Sequence, residues 1–201
     1  VSFIDDQSLV VHSFLLRNDK NPLIEKFEKE THTPALHNKL KSFLINAVGG
    51  PDQARKYKVD KMTVQFHFYD EKDEITMLKH LFNYINNIKP DIVLAWNMAF
   101  DIPYIIQRII NLGYNPKGIM CSPDFKYKEV KYMIDERNQF KYEERNDFAK
   151  ISSYSVYLDQ MIHFASRRKG QKAIANYRLD YIGEITCGVK KLDYSHITNK
   201  L

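Results

Sequence analysis

The sequence predicts an α/β fold, a mixed sheet with helices on both of its faces, and three observations predict it. Two short apolar runs, residues 92–95 and 156–158, are too short for helices and carry no alternating polar face, so they read as strands covered on both sides. Apolar residues at helical spacing, Ile75, Leu78, Leu81, Phe82 and Ile85, then Tyr104, Ile105, Ile109 and Leu112, flank the first of these runs. Residues 62–69 alternate as a strand, with His67 on the face opposite Phe66 and Phe68, and with the first of those helices and the strand beyond it they make a strand-helix-strand unit.

Composition bounds the answer. A chain of 201 residues is one domain of ordinary size, or one domain with insertions, and buries a substantial core. Apolar content of 44% with only 7 Gly and 7 Pro excludes a disordered or fibrous chain. The net charge of +5 suits a phosphate-bearing partner without specifying one. Cys121 and Cys187 stand alone, without a second Cys or His at ligand spacing, so neither a zinc site nor a disulfide framework is indicated. No run approaches the roughly 18 apolar residues of a membrane span, and no basic region followed by an apolar one opens the chain. The expectation is a soluble, cytoplasmic protein that is neither exported nor membrane-bound.

Taken in order, residues 1–4 and 9–16 read as strands joined by a polar turn, with Asp5 and Asp6 as turn residues. A chain opening directly in a strand without Met looks cut from something longer. Residues 22–58 loosen into helical turns broken at Val48-Gly49-Gly50-Pro51 and read as an insertion; His32 and His37 there are surface positions. Asp73 and Glu74 put acids in the first turn of the helix that precedes Pro90.

The chain is organised around residues 90–108, where the strand opened by Pro90-Asp91 hands over to a helix with Asp101 at or beside its N-cap and Pro103 in its first turn. Helices that follow strands collect ligands at that end of a sheet. Taken alone, such an Asp is more often a cap than a metal ligand. Beyond Gly113-Tyr114-Asn115-Pro116, a helix stop, residues 121–151 form a Tyr-rich stretch of balanced charge. They read as a second insertion, a small β-excursion, although aromatics among basic residues also suit base stacking. Asp159 ends the strand of residues 156–158 as a cap or support, and Arg167, Arg168 and Lys169 follow as a solvated basic face or a phosphate contact. Residues 177–184 read as a helix with Leu179 and Ile182 inward, followed by Gly188-Val189-Lys190-Lys191.

Residues 97–105, Asn-Met-Ala-Phe-Asp-Ile-Pro-Tyr-Ile after a Pro-Asp strand, resemble the second exonuclease motif of family-B DNA polymerases. The spacer between Asn97 and Phe100 holds two residues where many members have three, a length that occurs in protein-primed members. Arg108, the preceding strand and helix, and the helix before a Gly-Lys-Lys turn follow the same order. The resemblance implies a ribonuclease H-like fold and a 3′–5′ proofreading exonuclease acting on the single-stranded 3′ end of a DNA primer-template in replication. It further implies a viral or phage-type parent and the remaining polymerase domains as partners. Asp101 is then a catalytic metal ligand for Mg²⁺ or Mn²⁺, and Asn97, Phe100 and Tyr104, with Arg167, Arg168 and Lys169, contact DNA.

The family's other ligands are an Asp-x-Glu pair on a first strand and an Asp in a Tyr-x-x-x-Asp segment. No Asp-x-Glu opens a strand in residues 1–16, no Tyr-x-x-x-Asp follows the Lys190-Lys191 turn, and Tyr154 and Asp159 are spaced wrongly for the latter. The expectation is an incomplete exonuclease domain over 1–201, inactive by itself. The competing reading is an inert ribonuclease H-like module that binds single-stranded DNA or scaffolds other domains; an unrelated nucleotide-binding protein is disfavoured by the lack of a Gly-rich loop after any strand.

Overall fold

The computed structural model describes residues 2–17, 22–138, 141–171 and 174–188. It divides into two compact units, Val1–Leu81 and Phe82–Leu201, and the α/β class holds, with the strands in two sheets rather than one.

The first unit is built on a three-stranded sheet in the order β1-β2-β3. β1 (Ser2–Asp5) and β2 (Val10–Arg17) form an antiparallel hairpin. Asp5 closes its turn by accepting from the Gln7 and Ser8 amides at 3.0 and 3.4 Å, so the turn reading of this acid stands. β3 (Thr63–Asp70) pairs parallel to β2 and needs a crossover. That crossover is more helical than the sequence suggests. It contains α1 (Pro22–Thr31), α2 (Pro34–Ala47), capped by the Thr33 hydroxyl, and α3 (Pro51–Lys56). Proline at the head of each helix suits a first turn whose amides lack partners anyway. On one face of the sheet, Phe27 of α1 meets Phe66 and Phe68 edge-on at 5.2 and 6.2 Å. His67 lies on the other face against Phe14, as alternation requires. The strands' far end is pinned by Arg17, which donates to both Glu28 and Asp70.

α4 (Glu74–Ile88) buries Met77, Leu78, Leu81, Phe82 and Ile85 along one stripe, the spacing its sequence announces.

The second unit holds a four-stranded sheet in the order β4-β7-β6-β5. β4 (Ile92–Ala95) and β7 (Val156–Asp159) are parallel. β6 (Phe148–Ile151) joins β7 antiparallel through Ala149 and Tyr157, and pairs with β5 (Val130–Met133) as the small β-excursion expected of this Tyr-rich stretch. α5 (Met98–Asn111) packs on β5, β6 and β7 and ends at Leu112, with Gly113 at φ 83°, the left-handed stop that its Gly supplies. The core gathers Met98, Ile102 and Ile109 of α5, Ile119 and Met120 of α6 (Pro116–Met120), and Ala149, Ile151 and Tyr157 of the sheet.

Two expectations are corrected. β4 and β7 are not covered on both sides: Val93 and Tyr157 share a packed face, whereas Ile92, Leu94 and Val156 on the reverse are 54%, 54% and 64% exposed. An apolar run states that a strand favours cover, and it cannot state which residues supply it. In α8 (Leu179–Cys187) Ile182 is buried as expected but Leu179 is exposed, because it opens the helix instead of lying one turn inside it. Val189, Lys190 and Lys191 lie outside the described residues.

Candidate active site

β4 ends at Ala95, and Trp96 and Asn97 turn the chain into α5. Asn97 adopts the cap position at φ −147°, and its carbonyl accepts from the amides of Phe100 and Asp101 at 3.0 and 3.1 Å. The helix therefore begins at Met98, earlier than Pro103 suggests, and Asp101 sits within its first turn rather than at the cap. Pro103 therefore lies inside the helix rather than in its first turn, and it forgoes the amide bond that position 103 would otherwise make to the Ala99 carbonyl. Ile102 faces the core. Phe100 and Tyr104, one turn apart, stack at 5.9 Å with ring planes 12° apart and are largely exposed. Asp101 lies at the border of these two faces, half-buried at the mouth of the sheet.

The neighbouring parallel strand supplies a second carboxylate. Ala95 pairs with Asp159, which ends β7 and caps α7 (Gln160–Arg167). Asp159 is 1% exposed. One of its oxygens accepts from the amides of Met161 and Ile162 at 2.9 and 3.3 Å, and the other accepts from the Tyr132 hydroxyl at 3.4 Å. The cap reading is thus correct. Sequence reasoning misses two things: Tyr132 as its partner, 27 residues upstream, and the effect of Asp159 on Asp101. The Asp101 carboxyl is raised above its ordinary value, first by burial and then by the Asp159 charge. Burial and the same charge also hold the Tyr132 phenol well above its ordinary range. Strand adjacency is the hidden signal, and no local pattern carries it.

A cavity of about 1030 Å³ opens beside Asn97, lined among others by Trp96, Tyr142, Met161, Tyr177 and Arg178. The Trp96 indole donates to the Tyr177 carbonyl at 2.9 Å, Tyr142 and Tyr177 rings meet at 5.3 Å, and the Tyr177 hydroxyl donates to Glu143. Aromatic faces with an exposed guanidinium at the rim suit bases and phosphates.

The basic cluster lies away from Asp101 and Asp159, although Arg168 is near enough to Tyr177 of the cavity for its charge to act on that phenol. Arg167 is the last residue of α7, eight residues and about 12 Å along the helix from Asp159, and Arg168 and Lys169 follow it. Arg168 lies over the Phe164 ring at 5.9 Å and Lys169 faces Glu144 at 3.8 Å, while Arg167 is exposed.

A carboxylate with raised proton affinity beside a second one favours a cation between them. Asp159, however, spends both oxygens on donors from the chain, and among the described residues no group of three or more His, Cys, Asp or Glu side chains is arranged to hold a metal. The described residues do not by themselves fit a two-metal site.

Residues 23–182 match the model of the DNA polymerase family B exonuclease domain. Over 157 residues the chain is 28% identical to a DNA-directed DNA polymerase of Escherichia phage RB69, an alignment covering 76% of this chain and 15% of that polymerase. The chain thus spans a small part of the curated relative's length. Among the described residues no helix is long and apolar enough to cross a membrane. With the family model matching residues 23–182, most of its length, the chain belongs to the exonuclease domains of family-B DNA polymerases.

Proposed function

We propose that this chain is the part of a polymerase proofreading domain that brings the second-motif carboxylate, Asp101, to the 3′ end of DNA. The reading rests on one observation above all: Asp101 stands in the first turn of a helix leaving a parallel strand, with its proton affinity raised by burial and by Asp159. Asn97 and the exposed Phe100–Tyr104 stack beside it are assigned to the single-stranded 3′ end, with bases on the rings, and the Trp96–Tyr177 cavity extends that path. Arg167, Arg168 and Lys169 are assigned a weaker role, as phosphate contacts further along the strand. Segments 22–58 and 121–151 are read as insertions on the core domain.

In the complete enzyme Mg²⁺ or Mn²⁺ would activate the attacking water and stabilise the leaving oxygen. One Asp cannot position two dications, so the further carboxylates belong to other parts of a longer polypeptide, and this chain alone hydrolyses DNA poorly. The polymerase domains of the same polypeptide and the primer-template are its partners, inside an infected or microbial cell.

Degradation of a labelled 3′ single-stranded end tests this, comparing the chain, the full polymerase and the full polymerase with Asp101→Ala. The expected result is loss of exonuclease with nucleotide addition retained in the variant, and little activity in the isolated chain. Full exonuclease activity in the variant would overturn the role of Asp101. Absence of activity in the unaltered polymerase would favour an inert module.

A further inference from the structure

We propose that His12 and His67 form an acid-sensitive latch in the β1–β3 sheet, which holds the sheet together while the rings are neutral and releases it when both are protonated. The two residues lie on the adjacent parallel strands β2 and β3, on the same face of the sheet. His12 Nδ1 is 3.1 Å from His67 Nε2, and the ring planes are 16° apart, the side-by-side geometry of an N–H···N hydrogen bond. A neutral imidazole has one donor and one acceptor nitrogen, so this bond exists only while at least one ring is unprotonated. With both rings charged, two donors would face each other at that distance.

The surroundings favour the neutral state. Phe3 stacks on His12 at 5.0 Å and Phe14 on His67 at 4.7 Å, and Phe14 continues to Tyr69 at 6.2 Å. The groups that bear on the pair are Asp5 of β1, which favours a proton on His12, and His80 of α4, which disfavours one on His67. Tyr69 of β3 bonds His80 through its hydroxyl at 2.9 Å, and its phenol is kept neutral by burial. Among these described groups, one carboxylate stands against three imidazoles. Both rings of the pair are held below the ordinary histidine value, chiefly by burial.

The direction comes from linkage. A folded-state value below the unfolded one means that the unfolded chain binds more protons in the window between them. The pair's contribution is present above the ordinary value near 6.5 and is lost as pH falls through the lower folded values. Nothing in this device depends on DNA or on Asp101.

Ring titration by ¹⁵N NMR and urea unfolding of the whole chain test it together. Both rings should titrate below about 6.5, with a shared-proton tautomer at about pH 7.5. The urea midpoint should fall between about pH 7.5 and about pH 5, and His67→Phe should remove about half or more of that fall. His163→Gln, a change to an exposed histidine of α7, should leave the fall intact. Rings titrating at or above 6.5, or a His67→Phe chain with an undiminished fall, would overturn the latch. If His67→Phe does not fold, the ring titration decides alone.

Discussion

Two parallel strand pairs each carry two titratable groups of like kind, and they hold them in opposite ways. Across β4 and β7 the groups lie at or just beyond the strand ends, Asp101 and Asp159, where helices begin and free amides point outward. α7 gives two such amides to Asp159, so a buried negative charge is tolerated there, and Asp101 feels it. Across β2 and β3 the groups are His12 and His67, in mid-strand, where the ladder already uses the backbone groups that could stabilise an added charge. Burial then keeps the pair neutral, each ring bonded to the other. Position along a strand thus separates a like pair with helix amides to hold one carboxylate from a like pair that burial keeps neutral.

Predictions that break or sharpen this contrast run from large to small. If Asp101 is the metal ligand proposed above, Asp101→Ala in the full polymerase should lower exonuclease activity by orders of magnitude, read on a 3′ single-stranded end. Asp159→Ala should destabilise the chain by about 2 kcal/mol, since two helix amides and a phenol lose their acceptor in a buried place. A urea midpoint within error of the unaltered chain would show that the cap is not what holds Asp159. Acid should act on the two regions with opposite signs. Asp101 is raised in the folded state, so its ionisation weakens folding as pH rises from the ordinary carboxylate range near 4 through the raised value. Asp101→Asn should therefore raise the urea midpoint slightly at neutral pH and not at pH values below that window, the reverse of the histidine pair. Tyr132→Phe should cost least, about 0.5–1 kcal/mol, because its hydrogen bond to Asp159 is long at 3.4 Å.

Legibility in the sequence depends on whether a signal is local. The β4–α5 handover, the α4 stripe and the stop at Gly113 are written in residues a few positions apart, and the structure has them. The motif around Asp101 combines strand, spacing and helix start, which is why it points to the family. Asp159 is legible as a cap because a cap is local, whereas its charge on Asp101 depends on which strand lies beside β4. The His12–His67 pair joins residues 55 apart and has no pattern to announce it. Exposure on the reverse of β4 and β7 escapes the sequence for a related reason: hydrophobicity in a run is a property of that run, while cover is a property of something else. The start of α5 lies ahead of the place that Pro103 announces, because Asn97 already carries the cap geometry.

Trp96 is the only tryptophan in the chain, and its indole N–H is anchored to the Tyr177 carbonyl across 81 residues. The protein therefore carries its own optical gauge at one wall of the cavity. Emission from that single indole reports whether the segment leading into α8 is seated, without any label. Undocking exposes the ring to water and shifts the emission to the red, whereas an aromatic guest stacked in the cavity quenches it. Local opening of this wall can thus be followed separately from global unfolding in the same cuvette.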